Sequence, residues 1–423
     1  MLRNNGRHNF RSPLIAKDPQ PSLVLDFAGT GTLDSRVTFI RSTTGTYYNS
    51  SGVLTTAAIN APRFDYNPST LAPLGLLIEQ SSTNLLNYSQ DFSNVIWVKG
   101  GSSTITANAT TAPDNTATAG LWTSTNNAGS LLFSPINSYA QAGTYTISIY
   151  YKNNTGTFLN IYCSDTGSNY SAAWVNLSTN TVAVTSNGSF SGASGTVTAS
   201  SNGFYKLNLT FTKPITANSQ ITIGNLVTAS NSFTKYVGSI YLWGAQLEAL
   251  AFPTSYIPTT SAQVTRAADN ATMTGTNFSS WYTQGQGTIY CEGNAFALNG
   301  SSGNPMTFIG ISDNTINNEI RLSANLTSGG IFESATSGVS QFALGTAVTP
   351  KIFTKMAGSY ILNNTLFSQA GGAAVTDTSC TIPTVSQMEI GNLISGRELS
   401  GWVKNISYYP TNLSSAQLQA LTT

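Results

Sequence analysis

The stretch Tyr236-Val-Gly-Ser-Ile-Tyr-Leu-Trp-Gly-Ala-Gln-Leu-Glu248 decides how this chain is organised. Apolar residues occupy both of its alternating registers: Ile240 and Leu242 share one, and Trp243 and Leu247 share the other. β-Branched and aromatic residues predominate, so the pattern predicts a strand that is covered on both faces. We therefore expect this strand to close a β-sandwich, with Trp243 in the core.

The residues after this strand predict a domain boundary. Pro253 and Pro258 lie within a run rich in Thr and Ser. Each proline fixes φ and lacks an N–H donor, so no regular element should continue through it. The predicted division is a domain at residues 87–250, a linker at residues 251–269 and a second domain at residues 270–423.

Length and composition indicate a folded protein with more than one domain, and they argue against some classes of function. The chain has 423 residues, which is too long for one compact core, and 40% of them are hydrophobic. Only 8% are charged, against roughly 25% in ordinary soluble domains. The net charge of +1, without a stripe of Lys and Arg, gives no electrostatic basis for binding nucleic acid. We expect no membrane insertion either, because no apolar run approaches the ~20 residues of a transmembrane helix and the N-terminus lacks the apolar segment of a signal peptide.

Both predicted domains show the pattern of short strands. Runs with period-two alternation, such as Thr144–Tyr151, Phe204–Phe211 and Trp402–Tyr409, are separated by clusters of Ser, Asn and Gly. This pattern predicts antiparallel β-sandwiches of the jelly-roll kind, with Trp402 in the core. Ser414 and Gln417 have the spacing of a capping box, which predicts a short C-terminal helix. The predicted fold class is all-β, with two antiparallel sandwiches behind an extended N-terminal region.

The N-terminal region is predicted to have two parts. Residues 1–22 are polar and proline-marked, so we expect either a flexible leader or an arm that orders on docking. Residues 23–86 contain short strand-like pieces, among them Val24–Phe27 and a hairpin that turns at Gly52. Some sixty residues of this kind bury little surface alone, so they should lie against a neighbouring domain or subunit.

Several kinds of chemistry have no support in the sequence. His8 is the single histidine and lies in the leader, which excludes Ser-His-Asp catalysis and histidine metal sites in the folded domains. The three cysteines, Cys163, Cys291 and Cys380, are far apart and odd in number, so we expect buried free thiols. No nucleotide-binding motif is present.

A long stretch of the N-terminal region resembles a known class of protein. The string LDFAGTGTLDSRVTFIRSTTGTYYNSSGVLTTAAINAPRFDYNPSTLAPLGLLIEQSSTNLL, residues 25–86, resembles a region that recurs in structural proteins of tailed bacteriophages and prophages. The resemblance continues through Asp91–Asn94, Trp243–Glu248 and Pro253–Pro258. It implies a tail-fibre-like protein on the virion exterior whose residues 1–86 attach it to other virion proteins.

Each predicted sandwich resembles a known fold. The first is similar to the jelly-roll carbohydrate-binding modules, with Asn84-Leu-Leu86 in the opening strand and Ser239–Leu247 in the closing one. Such modules often hold a structural calcium through acidic residues near these ends, whereas the last strand here contains Trp243-Gly-Ala-Gln246. We therefore expect no cofactor, with a structural calcium as the alternative. The second resembles the concanavalin-A-like (laminin-G-like) fold, with Gly401–Tyr409 as its final long strand.

An enzymatic function would need carboxylates that folding brings together. Glycoside hydrolysis requires two of them about 5 to 10 Å apart. Hydrolases of the concanavalin-like fold resemble one another in an E-x-D-x-E strand motif, which the second domain lacks. Its acidic residues are scattered singly: Glu292, Asp313, Glu319, Glu333, Asp377, Glu389 and Glu398. We therefore predict that the protein is not an enzyme, and a polysaccharide depolymerase remains the less favoured alternative.

Aromatic platforms give the functional prediction. A flat ring stacks on the apolar face of a sugar, and Tyr and Trp combine an apolar body with a polar tip. Tyr170 and Trp174 flank a polar loop at a predicted strand start, and we select them with Trp122 and Tyr162 as candidate glycan-binding residues; the alternative for each is core packing.

The predicted protein is a virion exterior protein that binds polysaccharide or lipopolysaccharide of the host-cell surface. Oligomerisation as a homotrimer would cover exposed strand edges. The main alternative is a purely structural protein that decorates the capsid, collar or tail and binds no glycan.

Overall fold

Two pairs of antiparallel sheets make up the chain in a computed structural model. The model describes residues 19–100, 103–125, 131–133, 141–165, 169–213, 219–226, 237–297, 305–325, 329–346, 353–392 and 397–423. Residues 1–18 of the predicted leader, including His8, therefore lie outside the described residues. The helical segments are Phe27–Thr30, Thr276–Ser279 and Ser415–Thr422, with a 3₁₀ turn at Ser201–Gly203. The predicted all-β class with a short C-terminal helix is confirmed.

The first sandwich consists of two six-stranded sheets. Ile147 and Leu207 of one sheet and Leu159 and Ile161 of the other are buried in a shared core. In sheet order, sheet 1 is Ser191–Ala199, Tyr205–Lys213, Gly143–Asn153, Gly238–Glu248, Ala119–Ser124 and Ser103–Thr110. Sheet 2 is Val182–Asn187, Tyr170–Asn176, Phe158–Asp165, Ser219–Leu226, Leu131–Phe133 and Val98–Lys99.

The second sandwich consists of an eight-stranded and a seven-stranded sheet. Sheet 3 is Val375–Asp377, Asn364–Gln369, Thr354–Ile361, Gln286–Ala295, Gly401–Tyr409, Pro73–Ile78 and Phe64–Tyr66, and Leu23–Asp26 also pairs with Gly401–Tyr409. Sheet 4 is Thr38–Ile40, Asn270–Thr274, Gln387–Ile390, Met306–Ser312, Glu319–Asn325, Gly329–Thr336 and Val339–Thr346. Two small hairpin-like pairs complete the strands: Gly45–Tyr48 with Leu54–Ala57, and Ser82–Asn84 with Val264–Arg266.

The N-terminal strands are built into the second sandwich, which agrees with the expectation that residues 23–86 lie against a neighbouring domain. Leu23–Asp26 pairs with Gly401–Tyr409, with Leu23 opposite Tyr408. Thr38–Ile40 likewise extends sheet 4 by pairing with Asn270–Thr274. Short strands cannot bury themselves, so they complete the nearest open sheets. The second sandwich therefore includes both ends of the described chain.

The predicted linker at residues 251–269 is also packed. Tyr256 and Ile257 are buried. The Asn84 amide donates hydrogen bonds to the carbonyls of Ala245 (3.1 Å) and Ile257 (2.9 Å), and its oxygen accepts from Leu247 N–H (3.1 Å). The connector is thus tied to the closing strand of the first sandwich and cannot act as a free spacer.

Five buried charged side chains lie where the N-terminal region meets the connector. Arg41 contacts Asp269 at 3.1 Å, Arg63 contacts Glu79 at 2.7 Å and also Asp269, and Arg266 contacts Glu79 at 3.5 Å. None of these side chains is more than 1% exposed. We call them the charge cluster: Arg41, Arg63, Glu79, Arg266 and Asp269.

Glu79 of the charge cluster is ionised at neutral pH. Burial alone would raise the pKa of Glu79, but Arg266, Arg63 and hydrogen bonds from Ser255 outweigh it and lower that pKa to about 2. Ser255 lies in the connector and donates from both its N–H and its hydroxyl, each at 2.7 Å. Removal of one partner of a buried ion pair leaves an uncompensated charge, which costs free energy. The charge cluster therefore holds the connector against the N-terminal region.

Two local predictions are confirmed. Trp243 is 1% exposed and packs with Tyr150 and Tyr256. Ser414 caps the C-terminal helix by accepting from Gln417 N–H, and Gln417 completes the capping box. Among the described residues, no helix is long and apolar enough to span a membrane.

Candidate functional site

The outer face of sheet 2 carries three of the four predicted glycan-binding residues. On strand Phe158–Asp165, Leu159, Ile161 and Cys163 point into the core of the first sandwich, so alternate residues point outward. On strand Tyr170–Asn176, Ala173 and Val175 point inward in the same way. We call the resulting outward cluster the aromatic face: Phe158, Asn160, Tyr162, Tyr170, Ala172 and Trp174.

Strand register places these side chains against one another. Trp174 lies opposite Asn160, and Tyr162 lies opposite Ala172. The rings of Tyr162 and Tyr170 meet edge to face, with centroids 6.4 Å apart and planes at 70°. The small side chain of Ala172 separates Tyr170 from Trp174 along their strand. The sequence therefore builds a compact aromatic group on one side of the sheet.

The aromatic face contains an acceptor that is buried without a partner. Asn160 is fully buried, and its amide nitrogen donates to the Ala173 carbonyl at 3.1 Å. Its Oδ1 has no hydrogen-bond partner among the described residues. An unpaired buried acceptor costs free energy that a ligand donor would recover. Tyr162 and Tyr170 are half-buried, whereas Trp174 is only 2% exposed.

Trp122 does not belong to the aromatic face, which corrects its selection as a candidate. It lies on sheet 1 between Ile105 and Ile240 and is 1% exposed in the core of the first sandwich. Its strand is apolar on both faces, so the pattern did not show which way the ring points. The expectation of buried free thiols is confirmed for Cys163, Cys291 and Cys380.

A second polar group, missed in the sequence, lies on the outer face of sheet 4. Arg321 contacts Glu333 at 2.6 Å and Glu319 at 2.9 Å, and Arg397 contacts Glu319 at 3.1 Å. The alternation of Glu319 and Arg321 along a strand was the available signal. Arginine contacts both of these carboxylates, as in structural ion pairs, and burial nevertheless raises the pKa of Glu319 to about 7.

Glu389 lies beside this group without an arginine contact. It is 7% exposed, Gln387 donates to its Oε1 at 3.1 Å, and its Oε2 has no hydrogen-bond partner within the described ranges. Burial raises its pKa to about 7, helped by the charge of Glu319 and opposed by the Gln387 hydrogen bond. The folded protein therefore holds this carboxyl protonated at pH values where the unfolded chain ionises it.

Replacing Glu389 with glutamine should change how stability depends on pH. A folded-state pKa raised from 4.5 to about 7 means that the stability contribution of this carboxyl is lost as pH rises through that window. Glutamine keeps the shape and does not titrate, so Tm of the variant should rise relative to the parent between pH 4 and pH 8. Calorimetry over this range checks it, and a constant Tm difference would refute the raised pKa.

The described part of the chain contains no group of three or more His, Cys, Asp or Glu side chains placed to hold a metal ion. The absence of a cofactor remains a prediction. The side chains of the aromatic face can bind a ligand by ring stacking and by hydrogen bonding.

Comparison with known proteins shows that parts of this chain are similar to β-sandwich domains of solved structures. No protein-family model and no curated protein matches the sequence. The chain is similar to the carbohydrate-binding module CBM40 of the Ruminococcus gnavus IT-sialidase, solved with α2,3-sialyllactose bound, at 16% identity and a TM-score of 0.30, covering 35% of this chain and 88% of that one. It is similar to domain 4 of AbnA, a GH43 arabinanase of Geobacillus stearothermophilus bound to arabinotriose, at 13% identity and a TM-score of 0.30, covering 40% and 82%.

Domains LG4-5 of the mouse laminin α1 chain give a further similarity at 11% identity and a TM-score of 0.24, covering 76% of this chain and 92% of that one. Likeness at these scores carries no conclusion about function.

Proposed function

We propose that this chain is a non-enzymatic surface protein of a tailed-phage particle that binds host-cell glycan through the aromatic face. The observation that carries the proposal is that Tyr162, Tyr170 and Trp174 share one face of sheet 2 with Asn160, whose Oδ1 has no partner among the described residues. The phage setting rests on the resemblance of residues 25–86 and of the connector to virion proteins.

The aromatic face has the chemistry that a sugar requires. Half-buried tyrosine rings present an apolar surface and a hydroxyl, which suit the C–H face and the hydroxyls of a pyranose. Asn160 Oδ1 would accept a hydrogen bond from a sugar hydroxyl. None of the residues that define the aromatic face is charged, so the part of the glycan in contact with it should be uncharged. Host-surface polysaccharide and lipopolysaccharide both supply such units.

Attachment to the particle is assigned to residues 1–86, as the resemblance implies. Strands within residues 23–78 are built into sheets 3 and 4, so in this proposal the second sandwich lies on the particle side and sheet 2 faces outward. A homotrimer would protect the edge strands Ser103–Thr110 and Val339–Thr346 from uncontrolled pairing.

A purely structural decoration protein is the second candidate. In that case the aromatic face would contact another virion protein instead of a sugar. A polysaccharide depolymerase is the third, and the observation in its favour is the carboxylate group on sheet 4. Release of reducing sugar from host polysaccharide by the purified chain would establish the enzyme and contradict the proposal.

A glycan array probed with the intact chain tests the proposal. We expect binding to one or more surface glycans, reduced roughly ten-fold or more in affinity by Tyr170→Ala, since loss of one ring contact costs about 1.4 kcal/mol or more. Tyr47→Ala is the matched control, because Tyr47 is half-buried on a hairpin outside sheet 2. Absence of binding to the array and to whole host cells would favour the structural alternative. Labelling of intact particles with an antibody against the chain tests the virion location separately.

A further inference from the structure

A cleft separates the first sandwich from the second, and its two walls differ in chemistry. The wall from sheet 1 is polar and carries Thr196, Asn208 and Thr210. The opposite wall is apolar and carries Phe252 of the connector and Phe296, which follows the strand Gln286–Ala295 of sheet 3. Polar side chains and aromatic rings thus line the same cleft.

A row of aromatic rings continues from the cleft onto sheet 3. The rings of Phe296 and Trp402 lie 4.6 Å apart at 73°, and those of Trp402 and Phe353 are stacked with centroids 6.1 Å apart at 29°. All three side chains are half-buried. The indole N–H of Trp402 donates to Asp65 Oδ2 at 2.9 Å, which fixes the orientation of the ring. We call Phe296, Trp402 and Phe353 the ring row.

Trp402 differs from the other tryptophans, and its expected place in the core is corrected. All six tryptophans lie in described parts of the chain, and the remaining five are 3% exposed or less. Trp402 points away from the core because its neighbour Val403 occupies the inward register of the strand. A rigid, oriented and half-exposed ring row costs little conformational entropy when a ligand covers it.

Lys404 and Glu292, beside the ring row, are paired with each other. The Lys404 ammonium lies 3.9 Å from the centre of the Phe353 ring and 3.4 Å from the Glu292 carboxylate. The polar wall of the cleft offers the hydroxyls of Thr196 and Thr210, while the Asn208 amide is already paired with Ser148 and Thr196. An uncharged ligand with many hydroxyls would leave the Lys404–Glu292 pair intact.

We propose that the cleft and the ring row form a second glycan-binding site, which takes an uncharged saccharide chain. Pyranose C–H faces would stack along Phe296 and Trp402 and on the side of Phe353 that Lys404 does not cover, and sugar hydroxyls would exchange hydrogen bonds with Thr196 and Thr210. The site shares no residue with the aromatic face, so the two glycan-binding proposals can be tested independently. The charge cluster joins the connector to the N-terminal region and so helps to hold the two walls in place before a ligand arrives.

Tryptophan fluorescence can test the site on the intact chain. Acrylamide should quench Trp402 preferentially, because the other tryptophans are buried, and Trp402→Phe should remove the quenchable component. The probes are linear oligomers of glucose, mannose and galactose, with 3′-sialyllactose as an anionic comparison. We expect at least one neutral oligomer to protect Trp402 from quenching and 3′-sialyllactose to protect it less.

Variants separate this site from the aromatic face. Phe353→Leu, which keeps apolar volume but removes the flat ring, should weaken the protecting oligomer by roughly ten-fold, and Phe353→Tyr should restore it. Tyr170→Ala should leave the protection unchanged. The proposal is overturned if no neutral oligomer protects Trp402, if 3′-sialyllactose protects equally well, or if Phe353→Leu binds as tightly as the parent. Loss of protection in Tyr170→Ala would assign the binding to the aromatic face and also overturn it.

Discussion

Replacing Arg63 with methionine is expected to lower the free energy of unfolding by about 3–5 kcal/mol. The Arg63 side chain is fully buried and contacts both Glu79 and Asp269. Methionine fills part of the volume but leaves two buried carboxylates with fewer counter-charges, and the free energy of an uncompensated buried charge dominates the change. Urea denaturation of the intact chain measures it.

Arg36→Met is the matched control for this experiment. Arg36 contacts Asp34 at 2.7 Å, but the two side chains are 31% and 26% exposed, so water screens the pair. Loss of such a pair changes stability by about 1 kcal/mol or less. Equal effects of the two substitutions would show that the charge cluster does not hold the chain together in the way the contacts indicate.

A chain that begins at Asn87 is expected to lose the second sandwich while the core of the first sandwich remains folded. The truncation removes Leu23–Asp26 and Pro73–Ile78 from sheet 3, Thr38–Ile40 from sheet 4, and Arg41, Arg63 and Glu79 from the charge cluster. The remaining strands would expose a hydrophobic core that these elements cover. Limited proteolysis should degrade residues 270–423 first and spare strands of sheets 1 and 2.

Supplying residues 19–86 as a separate chain during expression gives the complementary test. If the missing strands and charges are what the second sandwich lacks, the added fragment should restore its resistance to protease. A truncated chain with the same Tm and protease resistance as the full chain would instead support a separable N-terminal region.

Local structure could be predicted because it is encoded by neighbouring residues. Alternation with period two marked strands such as Gly238–Glu248 and Gly401–Tyr409 to within a few residues. The spacing of Ser414 and Gln417 predicted the capped helix for the same reason. Trp243 was predicted to be core because its strand is apolar on both faces.

Long-range pairing could not be predicted, because nothing near Leu23 indicates that its partner is Tyr408. The members of the charge cluster likewise look like isolated charges in the sequence, and only the fold brings Arg63 to Asp269. This is why the sequence predicts that residues 23–86 lie against a neighbour but does not identify the second sandwich as that neighbour.

The candidate site was predictable in part. Tyr170 and Trp174 are separated by an even number of residues on one strand. Because successive side chains of a strand alternate between its faces, both lie on the same face of the sheet. Tyr162 lies beside these two residues, and Trp122 does not. This difference could not be predicted, because it depends on which sheet each strand joins and on which face of that sheet is covered. The outward Trp402 was missed for the same reason.

The most direct test of the central claim is NMR of the intact chain with labelled tyrosine rings, titrated with the glycan selected on the array. Replacement of Tyr162 and Tyr170 by phenylalanine, one at a time, assigns their signals. Glycan binding at the aromatic face predicts that the signals of Tyr162 and Tyr170 shift together as the glycan is added, while the signal of Tyr47 stays in place. Shifts confined to other tyrosines, or no shift at saturating glycan, would contradict the claim.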